Sequence, residues 1–90
     1  MTGEDAENRL KRLRLRSWRR GIREMDLILG GWADARLAGL DGSDLDLYEA
    51  LLAENDHDLY GWITGRETAP ERFSALVTRI SAEHLPSQRD

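Results

Sequence analysis

The chain contains no cysteine, which excludes disulfide bonds and thiolate metal sites and fits a reducing compartment. Histidine is also scarce, since only His57 and His84 are present, whereas a catalytic zinc site takes about three protein ligands. Neither histidine belongs to a recognisable catalytic triad. The sequence also has no glycine-rich phosphate loop after a predicted strand, because no strand is predicted. The residues of the run 56–58 are adjacent and cannot all face one ion. We therefore expect no metal site, no catalytic residues and no enzyme.

Long apolar segments are missing too, because no run approaches the roughly 20 residues that cross a bilayer. Residues 1–8 are acidic and lack the apolar centre of a signal peptide. Residues 9–20 are rich in arginine, as mitochondrial presequences are, but the acidic lead and the helical pattern downstream favour a place in the mature domain. The expected location is therefore the bacterial cytoplasm, without membrane insertion.

The length of 90 residues corresponds to one small domain over residues 1–90, with a core over about 9–85 and frayed termini. A chain of this size buries about 60–65% of its unfolded surface, which leaves little room for a deep pocket. This favours a binding module over a self-contained enzyme.

Strand signals are weak, and the apolar residues recur at helical spacings, so we predict an all-α domain with five helices. The first two helices are expected over residues 5–20 and 23–38, and Gly21 ends the first by adopting a left-handed conformation. Gly30 and Gly31 inside the second helix indicate a kink or close helix packing.

Capping residues place the three remaining helices. Ser43 is the predicted N-cap of the third helix, the polar run 55–58 offers N-caps for a short fourth, most simply Asp56 and Asp58, and Thr68 begins the fifth. Pro86 ends that last helix. Only six residues are aromatic, and the three tryptophans among them are expected to anchor the core: Trp18, Trp32 and Trp62.

Charge is divided sharply along the chain, although the formal net charge is only −4. Residues 9–23 hold eight of the thirteen basic side chains, whereas residues 24–67 hold eleven acidic side chains and two basic ones. The sign changes at Gly21. A charged turn between two helices is a place where a small domain displays function, because a core does not accommodate such groups.

The basic first helix allows two interpretations. It could contact nucleic acid through phosphates, or it could be a solvated face that forms ion pairs with the acidic remainder of the chain. The isoelectric point near 5.1 and the negative net charge favour the second interpretation, so no nucleic-acid partner is expected.

Two segments resemble the SdhE family, the succinate dehydrogenase assembly factors that promote covalent flavinylation. The first is Arg20-Gly21-Ile22-Arg23-Glu24, which is similar to the family's Arg-Gly-x-x-Glu motif, with Asp26 in the extended position. The second is the run 51–63, which is similar to the family's double leucine, aspartates and leucine-aromatic-x-Trp run. The likeness covers roughly residues 9–82. Residues 30 and 31 depart from it, since the family has bulkier side chains there.

The resemblance implies a chaperone-like assembly factor that binds the flavoprotein subunit of succinate dehydrogenase, or of fumarate reductase. It implies that FAD is the client's cofactor and is not bound by this chain alone. The predicted partner-binding residues surround the turn: Arg19, Arg20, Gly21, Ile22, Glu24 and Asp26. On this view Arg20 and Glu24 face the partner, while the alternatives are that Arg20 contacts helix carbonyls or pairs with Glu24.

Two other classes of function remain open from the sequence. One is a helical adaptor that binds an unrelated protein through the same turn. The other is an RNA-binding domain that uses the basic helix.

Overall fold

The computed structural model describes residues 5–84, and within them the chain folds into five α-helices and one 3₁₀ turn. The helices are α1 Ala6–Trp18, α2 Arg23–Arg36, α3 Gly42–Leu52, α4 Asp56–Ile63 and α5 Glu71–His84, and the 3₁₀ turn Leu37–Gly39 follows α2. The prediction of an all-α domain with five helices is confirmed. The predicted stop at Pro86 and the frayed ends lie outside the described residues.

The predicted caps are displaced from the observed helix starts, and α5 begins at Glu71, three residues after Thr68. Asp41, not Ser43, is the N-cap of α3, and its side chain accepts a hydrogen bond from the Asp44 amide at 2.9 Å. Asn55 is the N-cap of α4 and accepts from the His57 amide at 2.8 Å. Asp56 therefore lies in the first turn of α4, where its carboxylate is available for another contact.

The core is a single apolar cluster contributed by all five helices. Tyr48 of α3 lies at its centre, fully buried, with its hydroxyl 2.7 Å from Ser17 Oγ and donating to the Leu29 carbonyl at 3.4 Å. Ser17 Oγ also lies 2.8 Å from the Leu13 carbonyl, and since its hydroxyl has one proton, it donates either to that carbonyl or to Tyr48. Burial raises the pKa of Tyr48 to about 12, so the phenol stays neutral and joins α1, α2 and α3 by hydrogen bonds.

The three tryptophans differ in burial. Trp32 is buried and stacks on Tyr48 with ring centroids 5.3 Å apart, whereas Trp62 is half-buried and stacks on Phe73 at 6.0 Å. The prediction that Trp18 anchors the core is wrong, because its side chain is 38% exposed. Its ring lies instead on the outer surface of α2, over Gly30.

Most of the basic side chains of α1 make ion pairs within the chain. Arg9 contacts Asp46 at 2.7 Å and Glu49 at 2.9 Å, and Arg12 contacts the other carboxylate oxygen of Glu49 at 2.9 Å. Arg14 lies 3.7 Å from Asp34 on α2. The interpretation of α1 as a face paired with the acidic remainder of the chain is supported by these contacts, which join α1 to α3 and to α2.

Candidate partner-binding surface

The turn between α1 and α2 is built by three backbone features. Arg19 caps α1 by donating its amide to the Arg16 carbonyl at 3.3 Å. Gly21 then takes φ +97°, a conformation that L side chains rarely adopt. Ile22 is the N-cap of α2, and it supplies no side-chain cap because its side chain is a hydrocarbon. The predicted left-handed conformation of Gly21 is therefore present, but the prediction that this glycine ends α1 is wrong, because the helix ends at Trp18 with Arg19 as its C-cap.

Asp26 closes this turn from the first part of α2. Its Oδ1 accepts a hydrogen bond from the Arg20 amide at 2.6 Å, and its own amide donates to the Ile22 carbonyl at 2.9 Å. A charged acceptor makes a stronger hydrogen bond than a neutral one. Asp26 thus fixes the path of the chain on both sides of Gly21, through its side chain before the glycine and through its backbone amide after it.

Arg20 points inward, towards the junction of α3 and α4. Its Nε donates to Asp56 Oδ1 at 2.6 Å, while its two terminal nitrogens donate to the carbonyls of Leu52 and Glu54. Only 10% of the Arg20 side chain and 19% of the Asp56 side chain are exposed. The guanidinium therefore joins the α1–α2 turn to the end of α3 and the start of α4.

The expected orientation of Arg20 towards a partner is not the one in the structure. Arg20 does not pair with Glu24 either, which was one of the alternatives, because its guanidinium donates to Asp56. Sequence spacing could not reveal this contact, because residues 20 and 56 are far apart in the chain and meet only through the packing of α3 and α4. Of the alternatives, the one in which Arg20 binds helix carbonyls is nearer to the structure. The carbonyls are not those of its own helix, however, but those of Leu52 in α3 and of Glu54 just after it.

Glu24 and Ile22 are displayed on the outside of the turn. Ile22 is 44% exposed, and the exposed Glu24 carboxylate has no hydrogen-bond or ion-pair partner within residues 5–84. They border a shallow depression of about 240 Å³. Met25, Asp56, His57 and Tyr60 complete its lining. An apolar floor with an unpaired carboxylate at its edge is suited to binding a protein surface that carries a donor.

The second family-like segment contributes to the same surface. His57 and Tyr60 of α4 line the depression beside Ile22, a role that sequence reasoning missed because this run was interpreted as capping and core. The signal was the helical spacing of residues 57 and 60, which lie one turn apart and therefore share a face. The two resembling segments, separated in sequence, thus meet at one place.

The six predicted partner-binding residues fall into two groups. Arg19, Gly21, Ile22 and Glu24 are exposed at the turn. Arg20 and Asp26 lie behind them and hold the turn in shape. None of these residues is tested by a bound partner, so their part in binding stays a prediction.

The described residues offer little for other kinds of chemistry. No group of three or more histidine, aspartate or glutamate side chains within residues 5–84 is placed to hold a metal ion. No helix in that range is long and apolar enough to span a bilayer. The depressions on the surface are shallow, which suits contact with a macromolecule better than enclosure of a small substrate.

Residues 11–84 match the family described as the flavinator of succinate dehydrogenase. A relative from Aspergillus terreus is 43% identical over 70 residues, which cover 78% of this chain and 23% of the relative. One from Candida glabrata is 40% identical over 73 residues, covering 78% and 48%, respectively. One from Dictyostelium discoideum is 34% identical over 80 residues, covering 89% and 57%. The chain thus spans between a quarter and somewhat more than half of these relatives.

All three relatives are named "Succinate dehydrogenase assembly factor 2, mitochondrial". These names contradict the expected location in a bacterial cytoplasm and point to the mitochondrion instead. The arginine-rich residues 9–18 belong to α1 of the folded domain.

Proposed function

The chain belongs to the family of flavinators of succinate dehydrogenase, and we propose that it is an assembly factor that promotes covalent attachment of FAD to the flavoprotein subunit. It acts by binding that subunit and favouring an arrangement in which the flavin bond forms. FAD is the cofactor of the client and not of this chain. The flavoprotein subunit of fumarate reductase is a second proposed client.

One structural observation carries the assignment of the binding surface. The turn at Gly21 displays an unpaired carboxylate and an apolar side chain, while partly buried hydrogen bonds of Asp26 and Arg20 fix the turn beneath them. A preformed surface loses less conformational entropy on binding than a mobile one, so its contacts contribute more to affinity. This fits a protein that recognises one folded client.

The contacts of α1 favour this function over RNA binding. Arg9 and Arg12 are engaged with Asp46 and Glu49. Binding phosphates would require these ion pairs to be exchanged, which removes much of the electrostatic gain that drives nucleic-acid association. An adaptor for an unrelated protein would use the same turn and is therefore separated from the proposal by the identity of the client.

Gly21→Arg tests the proposal, with Gly65→Arg as its matched control. Both glycines are exposed, both have positive φ (+97° and +83°), and an added Cβ at either would meet nothing within 4 Å. Backbone strain is thus the same type in both variants, and only the position differs. We expect Gly21→Arg to abolish covalent flavin in the client by excluding the partner, and Gly65→Arg to support normal flavinylation.

The measurement is flavin fluorescence of the denatured flavoprotein band, after co-expression with each variant in cells that lack their own assembly factor. Circular dichroism establishes that both variants are folded. Normal flavinylation with folded Gly21→Arg would contradict the assigned surface. Equal flavinylation with and without the wild-type chain would contradict the function itself, and capture of a different protein by the wild-type chain would favour the adaptor.

A further inference from the structure

Exposed large apolar side chains are concentrated at one end of the α1–α2 hairpin. Within the described residues there are four, Leu15, Trp18, Ile22 and Leu27, all inside a thirteen-residue stretch of the chain. A single exposed leucine is ordinary in a soluble protein. Leu15, which is 49% exposed, differs from the other three because every other side chain lining its depression is charged; this depression of about 310 Å³ is named the Leu15 depression.

The rest of the Leu15 depression is charged. Its lining is completed by Arg16, Arg19, Arg20 and Asp56. Arg20 and Asp56 neutralise each other through their 2.6 Å contact. Arg19 has no side-chain partner within residues 5–84. The depression therefore carries an excess of positive charge beside an apolar side chain.

Arg16 adds to this excess. Its ion pair with Glu49 is long, at 4.0 Å, and that carboxylate already contacts Arg9 and Arg12 at 2.9 Å each. Arg9 has a second carboxylate in Asp46, whereas Arg16 has no ion pair within residues 5–84 besides this long one, so its charge is only weakly compensated. An arriving anion would thus find Arg16 and Arg19 available on either side of Leu15.

Asp56 also lines the depression beside Ile22 and Glu24, so this side chain, held by Arg20, is a wall shared by two neighbouring depressions. One side of the wall presents arginines and the other presents the unpaired Glu24 carboxylate. Opposite charges on two sides of a fixed wall allow a partner to dock in only one orientation, because the reversed arrangement places like charges together.

Resting on the proposed function, we propose that the Leu15 depression is a second contact site for the flavoprotein subunit and receives an acidic side chain that lies next to an apolar one. The apolar group covers Leu15, and the carboxylate lies between Arg16 and Arg19. Arginine matches a carboxylate by donating two parallel hydrogen bonds, which fixes orientation as well as contributing affinity. The depression is too small to be a whole interface, and it extends the surface around Glu24.

Two pairs of variants test this inference by isothermal titration of the purified flavoprotein subunit. Leu15→Asp places a carboxylate where the partner's would lie, and its control is Leu27→Asp, since Leu27 is 54% exposed and lines a different depression. Arg19→Glu reverses the charge, and its control is Arg66→Glu, an exposed arginine after α4. We expect both depression variants to weaken binding by about tenfold or more, and both controls to change it by less than about twofold.

Salt provides a further readout. The Kd of the wild-type complex should rise with ionic strength, and Arg19→Glu should reduce that dependence, because it removes an attraction screened by salt. Arg19→Glu changes an exposed side chain and leaves the core untouched, so it tests the inference even if Leu15→Asp does not fold.

The outcomes are distinguishable. Wild-type affinity of both depression variants, together with lost binding by Gly21→Arg, overturns the inference and leaves the proposed function in place. Equal losses in Arg19→Glu and Arg66→Glu also overturn it, since the effect would then be one of net charge alone. If the wild-type chain does not bind the flavoprotein subunit, the proposed function fails, and the inference fails with it.

Discussion

Arg20 and Asp56 are joined by a hydrogen bond of 2.6 Å between Nε and Oδ1, and this contact ties the turn of the family motif to the first turn of α4. The same guanidinium donates to the carbonyls of Leu52 and Glu54, where α3 ends. The arginine of the family motif is thus a structural support for the turn, and the residues exposed around it are the predicted contact residues.

Arg20→Ala should lower the free energy of unfolding by about 2–3 kcal/mol, because it leaves a partly buried carboxylate and two carbonyls without their donor. Arg20→Lys should recover only part of the loss, since one ammonium cannot reproduce three diverging bonds. Urea denaturation measures both, with Arg66→Ala as an exposed control. An unchanged unfolding midpoint for Arg20→Ala, combined with lost client binding, would restore Arg20 as a direct contact residue.

Asp26→Ala should loosen the turn without unfolding the helices. The substitution removes the acceptor of the Arg20 amide, at a cost of about 1–2 kcal/mol for a hydrogen bond to a charged group. We expect the Arg20 amide to exchange its hydrogen faster, while core amides such as that of Leu29 change only by the global loss of stability. Asp26→Asn keeps an oxygen acceptor and should exchange more slowly than Asp26→Ala. Equal exchange at the Arg20 amide in wild type and Asp26→Ala would contradict the role of this contact.

Gly30→Ala and Gly31→Ala should change stability in opposite directions. A Cβ at Gly30 would lie 2.2 Å from Trp18 Cδ2, so the indole must leave its place and lose its 3.2 Å hydrogen bond to Asp34. We expect a loss of about 1–3 kcal/mol from this overpacking. A Cβ at Gly31 meets nothing within 4 Å, and alanine is the better helix former, so a gain of about 0.5–1 kcal/mol is expected. Thermal unfolding gives both signs, and a stabilised Gly30→Ala would contradict the packing of Trp18.

The same pair of residues shows how far the sequence predicts the fold. The glycines at 30 and 31 indicated close packing, and this is confirmed at Gly30, where Trp18 covers the backbone. The helices were predictable because their apolar spacing and capping residues are local signals. The exposed position of Trp18 was not predictable from local signals, because its ring lies over Gly30, which is twelve positions away in the sequence.

The candidate surface was predictable in part for the same reason. A glycine followed by a first-turn glutamate is a local pattern, so the exposed turn could be placed from the sequence. The inward orientation of Arg20 could not be predicted in this way. Its partners lie at the junction of α3 and α4, and no local sequence pattern specifies how these helices pack against the turn. The meeting of His57 and Ile22 likewise required α4 to be placed against the turn.

The contribution of Glu49 to the free energy of unfolding should decrease at acidic pH. The hydrogen bond from Arg12, followed by that from Arg9, lowers the pKa of Glu49 below its usual 4.5 against the opposing effect of burial. A carboxyl whose pKa is lower in the folded state than in the unfolded state stabilises the fold at pH values above the unfolded-state pKa. That contribution is lost as the pH falls through the folded-state pKa. The difference in unfolding free energy between wild type and Glu49→Gln should therefore shrink as the pH falls below 4.5. Urea denaturation at several pH values measures it, and a constant difference would contradict the assignment.

Glu24→Ala should separate binding from stability, with Glu71→Ala as its control. Both glutamates are exposed acids in the first turn of a helix, and neither has a side-chain partner within residues 5–84. Each variant should therefore lose a similar small amount of stability, about 0.3–1 kcal/mol, through the helix dipole.

Only Glu24→Ala should weaken binding to the flavoprotein subunit, by about 1–3 kcal/mol, because its carboxylate is the group that the turn leaves unpaired for a donor on the client. Glu24→Gln keeps the size and one acceptor oxygen but removes the charge, so its affinity should lie between those of wild type and Glu24→Ala. Titration of the purified subunit and chemical denaturation of each variant provide the two quantities. If Glu71→Ala weakened binding as much as Glu24→Ala, the loss would reflect net charge. If Glu24→Ala lost stability in proportion to binding, the carboxylate would be supporting the fold and not contacting the client.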